Sequence, residues 1–318
     1  MTNKEKYYSF CEVDKYVPIF SQSWWLDTVS ENEWDVALVE KNGKIIASLP
    51  YFIKNNLCCK IITMPKLTKY MGPYIKYPSD QKYETKLSYE KTVMVELIDQ
   101  LPKFDKFSQN FNYSVSNWLP FYWKNFNQTT YYTYIINDIS DANESISKFN
   151  YSKKKNIAKA EEDINIVYDI SDREFYDNHK MILAKQGEKI SYDYSLFSKI
   201  CSVAYKYNSA RILAAYDEKG ALHAAYFIVW DGISMYNLIS TIDPDYRFSG
   251  ASTLLIKEMI FFASSFLNKI DLTGSMIESV EHSFRKFGAI QTPYFHITKT
   301  SSKLYKFNNI LKEILFYK

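Results

Sequence analysis

The run Asp243-Pro244-Asp245-Tyr246-Arg247-Phe248-Ser249-Gly250-Ala251-Ser252 leads directly into Thr253-Leu254-Leu255-Ile256. Of all segments in the chain, it holds the residue types best suited to binding an anion. Gly250 and its small neighbours Ser249, Ala251 and Ser252 let a ligand come close to the backbone. A helix starting here has first-turn amides without intrahelical partners, at the positive end of its dipole. Those amides suit a phosphate or a carboxylate. Arg247 adds a permanent charge able to grip such a group through two hydrogen bonds. An ordinary loop capped by Ser249 or Ser252, with Arg247 solvated, uses the same residues, and the local pattern leaves both readings open.

Three further groups carry candidate chemistry. Asp271 stands in Asp271-Leu272-Thr273-Gly274-Ser275, where a carboxylate ending a strand beside a glycine turn can act as a base in a cleft. Helix capping is the competing role for such an Asp. Arg285 and Lys286, in Phe284-Arg285-Lys286-Phe287-Gly288, can hold an anionic substrate or remain a solvated pair. Trp118, Tyr122 and Trp123 lie in a dense aromatic stretch followed by amides, suited to stacking on a sugar or base and equally to packing a core. The basic run Ser152-Lys153-Lys154-Lys155-Asn156-Ile157-Ala158-Lys159 opposes the dipole of the helix it begins. It either grips phosphate or forms a solvated face.

Composition limits the alternatives. The chain has 318 residues, a net charge of +3 and 47% hydrophobic residues. It is globular, too long for one small module, and lacks the basic excess of a general nucleic-acid binder. The high aromatic content beside only eight glycines reads as a codon bias toward A and T. Cys11, Cys58, Cys59 and Cys201 make no C-x-x-C pair, and His179, His223, His282 and His296 make no H-x-x-x-H pair. No metal is expected, and neither is a cysteine nucleophile. No apolar run reaches the ~18–20 residues of a membrane span, and no secretory signal opens the chain. A cytoplasmic location with reduced thiols is the expectation.

These residues must be positioned by a repeated outline. A helix over 24–29, capped by Ser21 or Ser23, precedes a strand over 34–40. Asn42-Gly43 turns it into a second strand over 44–53. A helix follows at 87–101, then strands at 104–111 and 131–136. The polar segment 138–149 reads as a joint. Beyond it come helices at 151–163, 172–185 and 194–207, with Gly187 as a C-cap. Three strands joined by tight turns follow at 211–216, 222–230 and 234–241. A helix at 252–267, strands at 269–272 and 294–298 and a terminal helix from Lys303 complete the chain. Hairpin, helix and further strands in each half favour two α+β units, over 1–145 and 146–318, above one doubly wound sheet.

Arg247-x-x-Gly250-Ala251 resembles the pyrophosphate loop of the GNAT acyltransferase superfamily, with Ser252 in place of the last small residue. Together with Leu254-Leu255, Asp271-x-x-Gly274-Ser275 and Phe284-Arg285-Lys286-Phe287-Gly288 it is similar to the C-terminal signature of FemAB-like proteins. Those are twin-GNAT enzymes related to peptidoglycan-bridge aminoacyltransferases. Phe20-Ser21-Gln22-Ser23-Trp24-Trp25-Leu26, Tyr70-Met71-Gly72-Pro73 and Asn156-Ile157-x-Lys159-Ala160 fit the same group. The resemblance implies two GNAT-like domains, each a mostly antiparallel central sheet flanked by helices, with the acceptor side in the first. It implies transfer of an acyl group from acyl-coenzyme A to an amine of a sugar nucleotide or cell-envelope precursor. Arg247, Ser249, Gly250, Ala251 and Ser252 would bind the donor phosphates. Asp271 would be base or orienting group, Arg285 and Lys286 would hold an anionic acceptor, and the aromatic stretch would line the acceptor site. Aminoacyl-tRNA is the alternative donor, although no long helical-hairpin insertion for tRNA is visible. A saccharide-binding module without catalysis is the alternative of another class.

Overall fold

The computed structural model describes residues 1–56, 59–274, 276–302 and 305. Cys58, Ser275 and the helix expected from Lys303 lie outside them, save for Tyr305. In chain order the first elements are α1 (Asn3–Val13), α2 (Ser23–Ser30), β1 (Trp34–Lys41), β2 (Lys44–Asn56), β3 (Cys59–Thr63), β4 (Tyr74–Ile75), α3 (Tyr83–Asp99), β5 (Lys106–Asn110) and α4 (Leu119–Trp123). Strand β6 (Asn127–Asn137) carries the chain onward to α5 (Ala142–Ser147), α6 (Tyr151–Asp163), β7 (Ile164–Tyr168), α7 (Asp172–Lys185) and α8 (Tyr194–Lys206). Then follow β8 (Ala210–Asp217), β9 (Leu222–Trp230), β10 (Met235–Ile242), α9 (Ala251–Ser264), β11 (Lys269–Asp271), α10 (Glu278–Phe284) and β12 (Ile290–Thr300).

The chain forms two compact units, each built on a mixed, mainly antiparallel sheet with helices against it. Unit 1 comprises Met1–Tyr131 and Pro293–Lys318, and unit 2 comprises Tyr132–Thr292. The expected division at 145/146 falls inside α5, within unit 2. The polar segment 138–149 is no linker. Ile139, Ala142 and Phe149 are buried in the unit 2 core, and Ser145 is buried with them.

In unit 1 the strands run in the order β1-β2-β3-β5-β12. Asn42 and Gly43 both adopt positive φ (53° and 70°), as a two-residue hairpin requires. Alternation along β1 sends Trp34, Val36 and Leu38 against Tyr7, Cys11 and Leu26, and Ala37 and Val39 against Val93, Met94 and Leu97. Helix α1 begins with a capping box: the Thr2 hydroxyl accepts from the Glu5 amide and Glu5 accepts from the Thr2 amide. Helix α2 begins after Gln22 with no side-chain cap, so neither Ser21 nor Ser23 caps it.

In unit 2 the order is β6-β11-β10-β9-β8-β7. Strand β9 is buried along nearly its whole length, as a strand covered on both faces must be. Ala224, Tyr226, Ile228 and Trp230 join Ile157, Ala160, Leu255 and Met259 from α6 and α9. Phe227, on the opposite face, packs on Phe175 of α7 and Phe197 of α8, at ring separations of 6.3 and 5.3 Å. Among the described residues no helix is long and apolar enough to cross a membrane.

Candidate functional site

Two irregularities interrupt the unit 2 sheet beside β10. Strands β10 and β11 pair in parallel only at Met235–Ile270 and Tyr236–Asp271. There β11 ends, while β10 runs on to Ile242. Beside this point β10 slips register against β9 between Asn237 and Ile239, which bends the strand. Past the last pair the Thr273 hydroxyl donates to the carbonyl of Asn237. Thr273 itself has φ of 54°. A β-branched residue in that region is strained, and such strain collects at functional sites.

Asp271 holds this turn. It is 0% exposed. One carboxylate oxygen accepts from the Thr273 amide at 2.7 Å and from the Thr133 hydroxyl. That hydroxyl in turn accepts from the Gly274 amide at 2.9 Å. A Cβ on Gly274 would lie 2.2 Å from the Thr133 Cα, so the turn is pressed against β6. The base expected here is therefore a carboxylate enclosed by the turn it organises.

From the end of β10 the chain passes through a short 3-10 turn, Pro244–Tyr246, to Gly250 and α9. Three contacts fix this loop. Lys185, at the end of α7, bridges Asp243 (2.8 Å) and Asp245 (2.7 Å). The Tyr246 ring stacks on buried His223 at 3.9 Å, and His223 lies 3.3 Å from Asp217. Lys159 of α6 donates to the Phe248 carbonyl at 2.9 Å. Arg247 is exposed and makes no ion pair with any described residue.

The expected phosphate residues divide into two groups. Gly250 has φ of 85°, and a Cβ there would lie 2.3 Å from the Asn156 carbonyl oxygen. Its missing side chain is thus replaced by the backbone of α6, and a ligand does not occupy that space. Ala251 is buried, and its amide donates to the Ser249 hydroxyl at 3.3 Å. The Ser252 hydroxyl turns inward to Tyr226 at 2.6 Å, and Tyr226 also donates to the Ser252 carbonyl at 2.9 Å. Burial pushes the Tyr226 phenol up to about 12, so it acts as a donor at neutral pH. Arg247 remains the loop's free charge, beside the start of α9.

Arg285 and Lys286 follow α10 in unit 2. Arg285 approaches Glu281 at 3.8 Å and lies 2.6 Å from His282. The Lys286 carbonyl accepts from the Asn150 amide, at the start of α6. Trp118, Tyr122 and Trp123 belong to unit 1 and form the short helix α4 and its cap, where a loop was expected. Trp118 meets Tyr122 edge-on at 5.5 Å, and Lys91 lies over Trp123 at 5.3 Å. Tyr122 and Trp123 are exposed by more than half, so they are not core. The Lys185 bridge and the Tyr246–His223 stack were not assigned from sequence. The acidic Asp-Pro-Asp before the arginine was their one visible signal.

The Lys185 bridge makes a pH-dependent prediction. Burial alone would raise the Asp243 carboxyl, but hydrogen bonds from Lys185 and the Asp245 amide outweigh it and hold it below its ordinary value. A depressed folded pKa stabilises above the unfolded carboxyl value near 4, and that stabilisation is lost as pH falls through the lower folded value. Lys185→Met should lower the unfolding temperature at pH 7. The gap from wild type should persist down to about pH 5 and shrink toward pH 3. A gap independent of pH would remove this assignment.

No family model and no curated protein sequence matches the chain. Solved structures do match. FemX superimposes with a TM-score of 0.65 at 10% identity, over 93% of this chain and 96% of its own. A conserved protein of unknown function from Bacteroides thetaiotaomicron gives 0.54 at 11% identity, over 93% and 96%. L-PGS from Bacillus licheniformis gives 0.53 at 10% identity, over 97% and 96%. The fold is therefore like that of FemX along nearly the whole chain. At such identities the likeness is one of fold.

Proposed function

We propose that this protein is an N-acyltransferase whose donor site lies in unit 2. The observation that carries the reading is the conjunction of the early end of β10–β11 pairing with an anchored loop that carries Arg247 into the start of α9. Arg247 and the start of α9 would bind the donor's phosphates, with coenzyme A thioesters as the donor class. The thioester would lie where that pairing ends. Asp271, through Thr273, would keep the end of β11 in shape. A neutral amine attacks the carbonyl carbon, the C–S bond breaks, and the thiol leaves with its phosphates still held. Arg285 and Lys286 would hold an anionic acceptor, an amine of a sugar nucleotide or cell-envelope precursor.

Purified protein with acetyl-coenzyme A should release free thiol only when an amino-sugar nucleotide is added. No release across short- and long-chain donors, with intact folding, would contradict the reading. Aminoacyl-tRNA is the second reading, favoured by the four lysines of α6, Lys153, Lys154, Lys155 and Lys159. In that case amino-acid incorporation should be abolished by ribonuclease.

A further inference from the structure

We propose a second anion site in unit 2, formed by Lys153 and Lys286 with the Ser283 hydroxyl, which binds a phosphate group of a phosphorylated substrate. Lys153 lies in the first turn of α6, where a cation opposes the helix dipole. Its side chain is half-buried. The ammonium lies 4.1 Å from the centre of the Phe287 ring and donates to the Ser283 hydroxyl at 2.9 Å. That partner is neutral. The other charge acting on it is the like charge of Lys286. Burial, then this repulsion, lowers the Lys153 amine to about 8.

No described carboxylate forms an ion pair with either lysine. Glu281, the nearest acidic residue in sequence to Lys286, approaches Arg285 and accepts from Tyr134 at 3.1 Å. Glu144 pairs with Lys148 at 3.2 Å. A half-buried ammonium beside a second cation and without a counter-charge is costly. The Asn150 amide donates to the Lys286 carbonyl at 2.9 Å, tying the two segments together. A bound phosphate would supply the missing charge and accept from both ammonium groups and the hydroxyl.

The site is separate from Arg247, yet it is mounted on the helix that braces the Arg247 loop. Lys153, Asn156 and Ala160 share one face of α6 by their spacing. Asn156 and Ala160 are the residues a side chain on Gly250 would strike. The phosphate bound here therefore belongs either to the donor or to a nucleotide-linked acceptor. The site shares Lys286 with the acceptor contact above, and the choice between donor and acceptor phosphate rests on that reading. Its test needs no turnover, so either can fail alone.

The probe is inorganic pyrophosphate, and the readout is acylation of Lys153 by acetic anhydride, located by peptide mass mapping. Pyrophosphate should protect Lys153 in wild type and in Arg247→Ala. In the Arg247→Ala background, Lys153→Met should weaken pyrophosphate binding at least tenfold, and Lys153→Arg should restore most of it. Displacement by coenzyme A would identify a donor phosphate, and displacement by uridine diphosphate an acceptor phosphate. Labelling of Lys153 that saturating pyrophosphate leaves unchanged would overturn the site. So would equal pyrophosphate affinity with and without the Lys153 charge.

Discussion

Gly250→Ala should lower the unfolding temperature of unit 2 and weaken donor binding together. A left-handed alanine costs about 1–2 kcal/mol. The new Cβ would also lie 2.3 Å from the Asn156 carbonyl oxygen, a backbone atom that cannot rotate away. Helix α6 or the start of α9 must then shift, which brings the total to about 3 kcal/mol. For a domain of this size that is a fall of about 6–12 °C. Because the same shift moves the first turn of α9 and the neighbouring Arg247, coenzyme A affinity should fall as well. Calorimetry and titration on one preparation check both. A variant that melts like wild type would mean that α6 does not press on this loop.

Asp271 gives the second large effect, and its two variants should separate. Asp271→Ala removes the acceptor for the Thr273 amide and the Thr133 hydroxyl, in a site with no exposure. Leaving buried donors unsatisfied should cost about 3 kcal/mol and release the strained Thr273 turn. Asp271→Asn keeps an acceptor oxygen. If Asp271 orients the turn, this variant should retain turnover within about tenfold of wild type, with an unchanged pH profile. A general base would instead lose about 10²–10⁴-fold. A loss of that size in a folded Asp271→Asn protein would restore the role of base.

Much of the fold could be read locally. Asn42-Gly43 announces its hairpin because few residues accept two successive positive φ values. The buried run of β9 and the small-residue start of α9 were equally visible. Helix α1 was missed although Thr2-x-x-Glu5 spells a capping box, since its buried residues, Tyr7 and Cys11, are too few to mark a face. The division between the units was not legible at all. It depends on β12 returning to pair with β5, Thr298 opposite Ser108, a long-range contact with no local signature. The site divides in the same way. Arg247 was read from its neighbours in sequence. The inward turn of Ser252 depends on Tyr226, the bridge at Asp243 on Lys185, and the enclosure of Asp271 on Thr133. Each partner lies on another element, so residue type suggested chemistry without fixing direction.

The measurement that bears most directly on the central claim is calorimetric titration of the protein with acetyl-coenzyme A and with free coenzyme A, repeated on Arg247→Ala. Loss of a charge-assisted contact to phosphate is worth roughly 1.5–3 kcal/mol, so saturable binding should weaken by about 10- to 150-fold in the variant. Identical affinity in the two proteins would contradict a donor site at the Arg247 loop. Binding of neither ligand to wild type would contradict coenzyme A thioesters as the donor.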